Sequence, residues 1–351
     1  MTPPVALISL ATASPPHELE QVAVGEAARA MFAHRYRDFD RLFPIFQNAG
    51  IVRRQSVMPM EWYFQPRSWP QRTAAYLAGA ADLFVTAAEK ALARADLTAG
   101  EVDTIVTVSS TGIATPSLEA RAMGRMAFRD DVSRVPVFGL GCAGGVLGLA
   151  RAAALARAKP QSRVLLLVVE LCALTFRYGD RSKSNLVATA LFGDGAAAAI
   201  ISCRDEYGQA PRLGPAGEHT WPDSLDVMGW DIADDGLKVI FSRDIPTLVK
   251  DDLRPVVDAF LAKHGGTLND INGFICHPGG AKVLDALEDC FGLQRGDLSI
   301  AREVLRAHGN MSAVTVLFVL RAALDAGARG PQLLTTLGPG FTAGMMVVEP
   351  V

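Results

Sequence analysis

The chain has little of what marks several protein classes. No apolar run approaches the roughly 20 residues of a spanning helix; Val164–Val169 is among the longest. No cluster of lysine and arginine stands out, and the net charge is −3. Nucleic acid is therefore not an expected partner. There are five cysteines, at 142, 172, 203, 276 and 290. Their irregular spacing gives no disulfide ladder and no CxxC, which fits a reducing cytoplasm. No Cys/His pair has ligand spacing, so a metal is not expected, and no separate cofactor is expected either. The opening MTPPVALISLATASPP has no charged n-region and no long apolar core, unlike a signal peptide. Around Gly193-Asp194-Gly195 there is no P-loop or GxGxxG pattern, so that turn reads as the entry to a strand.

What is present is apolar and repetitive. Half of the 351 residues are hydrophobic, enough for a large core. ALARADLTAGEVDTIVTVSSTG (91–112) reads as helix, turn, buried strand and polar loop, and FLAKHGGTLNDINGFICHPGG (260–280) reads the same way. Downstream, GGVLGLARAAALARA after Cys142 matches the helix in HGNMSAVTVLFVLRAALDAG after Asn310. RVLLLVVE and GDGAAAAIIS then pair with QLLTTL and GFTAGMMVVEP. Near-continuous apolar strands suit a sheet covered on both faces. Two copies of one α/β unit, each with a buried helix, predict a duplicated five-layer αβαβα fold. The first half spans 1–215 and carries Cys142; the second spans 216–351 and carries His277 and Asn310.

Cys142 sits in VFGLGCAGGVLGLARA, where a strand-like run meets glycines and then a helix. A helix N-terminus favours a thiolate, the nucleophilic form, although a buried cysteine in a tight turn would look the same. His277 follows GFIC at the C-terminal end of a buried strand, where open α/β folds build sites. Asn310 opens a helix and would serve equally as its cap. Together they form a Cys-His-Asn set: a thiolate nucleophile, a proton partner, and amide and imidazole donors for an oxyanion. His308 is the rival base and reads better as satisfying the helix entry. His17, His34, His219 and His264 read as surface.

GLGCAGG, ALFGDGAAAAI (190–200), GLKVIFSRDIP (236–246), CHPGG (276–280), HGNMSAVTVLFVL (308–320) and LGPGF (337–341) resemble, in order, the type III polyketide synthases. This is the chalcone synthase-like family of the thiolase superfamily. The resemblance implies a homodimeric thiolase fold acting on acyl-CoA and malonyl-CoA without a carrier protein. Cys142 would hold the starter and growing chain, and His277 and Asn310 would form the oxyanion and decarboxylation pocket. Phe192 would match a gatekeeper phenylalanine, Gly338-Pro339-Gly340 would shape the cavity, and Ser312 would lie near it. Several positions depart from the plant enzymes. Val239 replaces the second gatekeeper, Cys172 stands for a threonine, and Trp230 stands for a cavity glycine. Arg41, Arg53 and Arg54 are the available cations for CoA, while FPIFQNAG lacks the others. The loop SSTGIATPS (109–117) would lie at the dimer interface, near Ser109 to Pro116.

A mostly non-polar passage lined by Phe192, Cys172, Thr175 and Met311, opened by Val239, points to a fatty acyl-CoA starter. Alkylpyrone or alkylresorcinol products would follow. Trp230 argues the other way, toward a malonyl-only enzyme making a small aromatic product. An initiating β-ketoacyl synthase using acyl carrier protein would carry the same triad on the same fold. A catalytically dead scaffold would be expected to lack one of the three. A thiolase fits less well, because GPGFTAGMM has no second cysteine.

Overall fold

The computed structural model of the chain describes residues 4–33, 39–242 and 244–350; His34 lies outside them. The chain opens on β1 (Val5–Ala13) and β2 (His17–Glu20), then helices α1 (Gln21–Phe32), α2 (Phe39–Leu42) and α3 (Pro44–Gln47). β3 (Arg53–Ser56) returns to pair with β2. Helix α4 (Trp69–Arg94) starts where Ser68 and Gln71 cap each other and Pro70 occupies the first turn. Its buried residues, such as Tyr76, Ala80, Phe84, Ala87 and Ala91, recur every three or four positions. That stripe faces the sheet. β4 (Thr104–Val108), α5 (Leu118–Met123), β5 (Ser133–Val137), α6 (Gly144–Ala158), β6 (Arg163–Leu171), α7 (Lys183–Leu191) and β7 (Asp194–Ser202) complete the first copy.

The second copy runs β8 (Arg212–Thr220), β9 (Met228–Ala233), β10 (Gly236–Phe241), α8 (Ile245–Lys263), β11 (Gly273–Cys276) and α9 (Ala281–Phe291). It ends with α10 (Ser299–His308), α11 (Thr315–Asp325), β12 (Gln332–Gly338) and β13 (Thr342–Glu349). Nine strands share one mixed sheet in the order β11-β12-β13-β8-β1-β7-β6-β4-β5. The duplication is visible in the pairing. β1-β7-β6-β4 runs antiparallel, antiparallel, parallel, and so does β8-β13-β12-β11. Within the main sheet the two copies meet where β1 pairs with β8, at Val5↔Leu213 and Ala6↔Arg212, so the expected boundary at 215/216 lies inside β8. Even the turns repeat. Thr98 and Glu101 cap each other before β4, and Thr267 and Asp270 do so before β11.

The apolar strands divide their side chains by parity. In β6, Val164, Leu166 and Val168 enter the central core with α6 and α11, while Leu165, Leu167 and Val169 enter the outer core with α4. β7 does the same with alanines and isoleucines. Helix α6 touches strands of both copies, including β6, β4, β13 and β12, and it also packs on α11. The β1-β7-β6-β4 and β8-β13-β12-β11 parts of the sheet thus form two layers around α6 and α11, and α4 on one outside and α8 on the other, packed on α9 and β13, complete the five. Among the described residues, no helix is long and apolar enough to cross a membrane.

Candidate active site

Cys142 lies in a single turn, Gly141–Ala143, that leads directly into α6. Gly141 adopts φ +46°, a left-handed value that favours glycine. Its neighbours explain the run of glycines. A Cβ on Gly144 would stand 2.7 Å from Val108, and one on Gly145 would strike the carbonyl of Ala313. A Cβ on Gly338 would stand 2.7 Å from the Ala143 nitrogen. The Cys142 turn is thus wedged between the loop Gly338-Pro339-Gly340 and the entry of α11.

His277 follows directly on β11 and is 5% exposed; among the described residues neither ring nitrogen has a hydrogen-bond partner. Asn310 is fixed by its own backbone. Its N–H donates to the Leu191 carbonyl (2.8 Å), and its carbonyl accepts from Gly193 (3.1 Å). Its side-chain oxygen accepts from the Ser312 N–H (2.8 Å), and Nδ2 donates to the Gly279 carbonyl (3.1 Å). The amide therefore acts as a local cap and keeps one N–H to spare. Cys142, His277 and Asn310 line one cavity of about 630 Å³.

The electrostatics differ from the expected helix-terminus thiolate. Burial pushes the Cys142 thiol up to about 12; a hydrogen bond with Ser312 opposes this and the Glu170 charge adds to it. Burial lowers His277 to about 4. Burial thus favours the neutral thiol and the neutral imidazole, because desolvation opposes the pull of the helix terminus on the thiolate. Glu170, fully buried, is raised to about 8 by desolvation, though it accepts from Ser110 N–H (2.9 Å) and the Thr111 hydroxyl (2.8 Å). Nothing in its sequence context singled it out.

Phe192 packs with Cys172, Ala188 and Val239. Its ring meets Trp230 edge-on at 6.1 Å and Phe241 at 5.7 Å. Val239 does not leave this cluster without a second phenylalanine, since Phe241, two residues further along β10, supplies one. Positions i and i+2 of a strand share a face. Behind Phe192 and Cys172 lies a smaller void of about 50 Å³ lined by Leu19, Val24, Met31, Met60 and Phe176. Thr175 is elsewhere: its hydroxyl donates to the Cys172 carbonyl, and it borders a third, smaller void beside Trp69 and Tyr76. Met311 is fully buried in the central core. His308 is held by Gln55 (2.7 Å).

The cations also sort themselves. Arg54 is 1% exposed; its guanidinium donates to Gln21 (2.6 Å) and the Phe192 carbonyl (3.4 Å). It is not presented to any phosphate. Arg53 faces Glu18 at 3.6 Å and does not line the cavity. Arg41 does line it, and with it Lys183 and Lys282, two exposed lysines outside every motif of the sequence. Among the described residues, no aspartate or glutamate lines this cavity.

Comparison with known proteins agrees with this geometry. The family described as chalcone and stilbene synthases matches over residues 63–205 with its N-terminal domain and 213–351 with its C-terminal domain. The "Putative chalcone synthase" of Bacillus subtilis (strain 168) is 41% identical over 97% of each chain. The 1,3,6,8-tetrahydroxynaphthalene synthase of Streptomyces peucetius subsp. caesius is 39% identical over 96% of this chain and 91% of its own. The crystal structure of the Streptomyces coelicolor A3(2) 1,3,6,8-tetrahydroxynaphthalene synthase superposes with a TM-score of 0.92 at 28% identity, covering 98% of this chain and 99% of that one. The chain belongs to the chalcone and stilbene synthase family and is a type III polyketide synthase, an acyltransferase with a thiolase-like fold.

Proposed function

We propose that Cys142 accepts an alkyl acyl group from acyl-CoA and extends it with malonyl-CoA to alkylpyrone or alkylresorcinol products. In loading, neutral His277 takes the Cys142 proton, the thiolate attacks the acyl-CoA carbonyl, and the CoA thiolate leaves with that proton. Malonyl-CoA then loses carbon dioxide. The electron pair moves to its thioester oxygen, faced by His277 and the spare Asn310 N–H. The resulting carbanion attacks the Cys142 thioester, forming a carbon–carbon bond and freeing the thiolate. At the cavity mouth, Arg41, Lys183 and Lys282 would meet the CoA phosphates, an assignment supported by the absence of any acid among the described lining residues.

The observation that carries the alkyl starter is the apolar void behind Phe192 and Cys172. At about 50 Å³ it holds little as it stands. Met31 and Met60 are unbranched and can repack, and each methylene buried contributes roughly 0.8 kcal/mol. A second reading starts from malonyl-CoA itself. It is favoured by Trp230 and Phe241, which fill space beside Phe192. The relative named for tetrahydroxynaphthalene also favours it, because oxygens on alternate ring carbons suit a product of two-carbon units alone. Comparing kcat/KM across acetyl-, hexanoyl-, lauroyl-, palmitoyl- and p-coumaroyl-CoA, with product masses, decides. A rise with alkyl length supports the first reading. A product of malonyl-CoA alone, indifferent to the acyl-CoA supplied, overturns it in favour of the second.

The enzyme would act as a homodimer. Edge strand β5, together with exposed Ile113 and Phe138 (54% and 57%), supports an interface there. A stable, active monomer in sedimentation would refute this.

A further inference from the structure

The β9–β10 hairpin forms a two-stranded sheet of its own, unpaired with the main one. Its placement therefore depends on what holds its two ends. At the base, Ser242 N–H donates to the Val227 carbonyl (2.8 Å) and Gly340 N–H to the Met228 carbonyl (3.4 Å). At the tip, Asp235 pairs with Arg177, whose side chain is only 16% exposed. Arg177 also faces Asp180 at 3.6 Å. Its backbone is bound on both sides by the Asn185 side chain (3.1 and 2.9 Å), which ties it to α7. Beneath the tip, buried Arg72 donates to the Leu174 carbonyl (2.6 Å) and the Phe176 carbonyl (2.5 Å). A Cβ on Gly236 would stand 3.3 Å from its Cδ. Arg177 thus binds the hairpin tip to the Cys172–Asp180 segment and, through Asn185, to α7, while Arg72 fixes that segment and packs beneath the tip. Between base and tip, Trp230 and Val239 sit opposite each other, and Trp230 and Phe241 rest on Phe192.

We infer that Asp235 is a positioning residue for this aromatic gate: its pairing with Arg177 sets how closely Trp230 and Phe241 stand against Phe192. That spacing in turn sets how long a chain the cavity accommodates. The inference rests on the Phe192 cluster, which reaches the cavity of Cys142 through Phe241, bounding the space open to the growing chain, and it holds for either starter. No tip residue from Asp234 to Gly236 lines the cavity that holds Cys142, His277 and Asn310. Loosening it should therefore alter selectivity and leave the Cys142, His277 and Asn310 chemistry alone.

The experiment compares wild type with Asp235→Ala, Asp235→Asn and Asp235→Glu. It reads the ratio of long to short products by mass spectrometry, the malonyl-CoA decarboxylation rate, and Tm. Asp235→Ala is expected to shift the product ratio by about tenfold, the order a changed pocket contact gives. Decarboxylation should stay within about twofold, and Asp235→Glu should restore the ratio. If Asp235→Ala does not fold, Asp235→Asn keeps the shape without the charge and carries the same readout. An unchanged ratio in a folded variant overturns the inference, and so does a parallel fall in ratio and decarboxylation. If wild type itself makes no alkyl product, the alkyl-starter reading has failed. The shift is then read on the malonyl-derived products, so the two failures are distinguishable.

Discussion

At the scale of single residues, the neutral resting pair makes a direct prediction. If His277 is the acceptor of the thiol proton, His277→Ala should slow alkylation of Cys142 by iodoacetamide on the order of 100-fold at pH 7. Peptide mapping identifies the labelled site. Cys172→Ser and Cys276→Ser should leave it unchanged, since Cys142 borders the large cavity whereas these two thiols are buried and do not line it. Fast labelling of Cys276 with Cys142 untouched would refute the assignment. Asn310→Ala removes an oxyanion donor and should cost about 100-fold or more in malonyl-CoA decarboxylation; a wild-type rate would remove Asn310 from that role. Residue types in known motifs were legible in the sequence because chemistry dictates them. Burial was not legible. In IVRRQS two adjacent arginines look alike, yet β3 turns one outward to Glu18 and the other inward to Gln21. Lys183 and Lys282 lie far apart in the chain, and only folding brings them to one cavity.

At the scale of elements, the glycines around Cys142 are a packing requirement between helices. Gly145→Ala should destabilise the protein by about 1–3 kcal/mol through overpacking against Ala313 and Val316, read as a lowered Tm. Gly139 has open space around it, but its φ of +92° strains any side chain, so Gly139→Ala should also lower Tm. The aromatic gate gives an opposite kind of outcome. Trp230→Gly should lengthen the acyl chain accepted, with decarboxylation unchanged; products identical to wild type would show that Trp230 is not the stop. The repeat was legible because it rests on periodicity: LTAGE and TLND carry matching capping residues, and the strand runs alternate between two cores. The replacement of one gate phenylalanine by another was not. Matching position by position places Val239 there, whereas a strand allows Phe241 to reach the same face.

At the scale of the whole molecule, buried carboxylates set the pH dependence of stability. Glu170 is raised to about 8 and Asp194 to about 7, both by desolvation. The folded state keeps these protons while the unfolded state releases them above its ordinary carboxylate range. Stability is therefore lost as pH rises from about 5 through 8, by up to about 1.4 kcal/mol per pH unit for each proton retained. Glu170→Gln should flatten the decline in Tm between pH 5 and pH 8.5; an unaltered slope would show that Glu170 ionises in the native state. His277, lowered by burial, acts on the acid side, since below about 6.5 the unfolded state gains a proton that the folded state refuses. The contact of α6 with the entry of α11 also bears on how the molecule fails. The nucleophile and the amide donor come from opposite halves, yet the gap between them is set where glycines of α6 lie hard against the Ala313 carbonyl and the Val316 side chain. Such a spacing cannot drift gradually on heating. Activity should persist at nearly full specific value until the halves part cooperatively, so loss of catalysis and loss of near-ultraviolet circular dichroism should trace one curve.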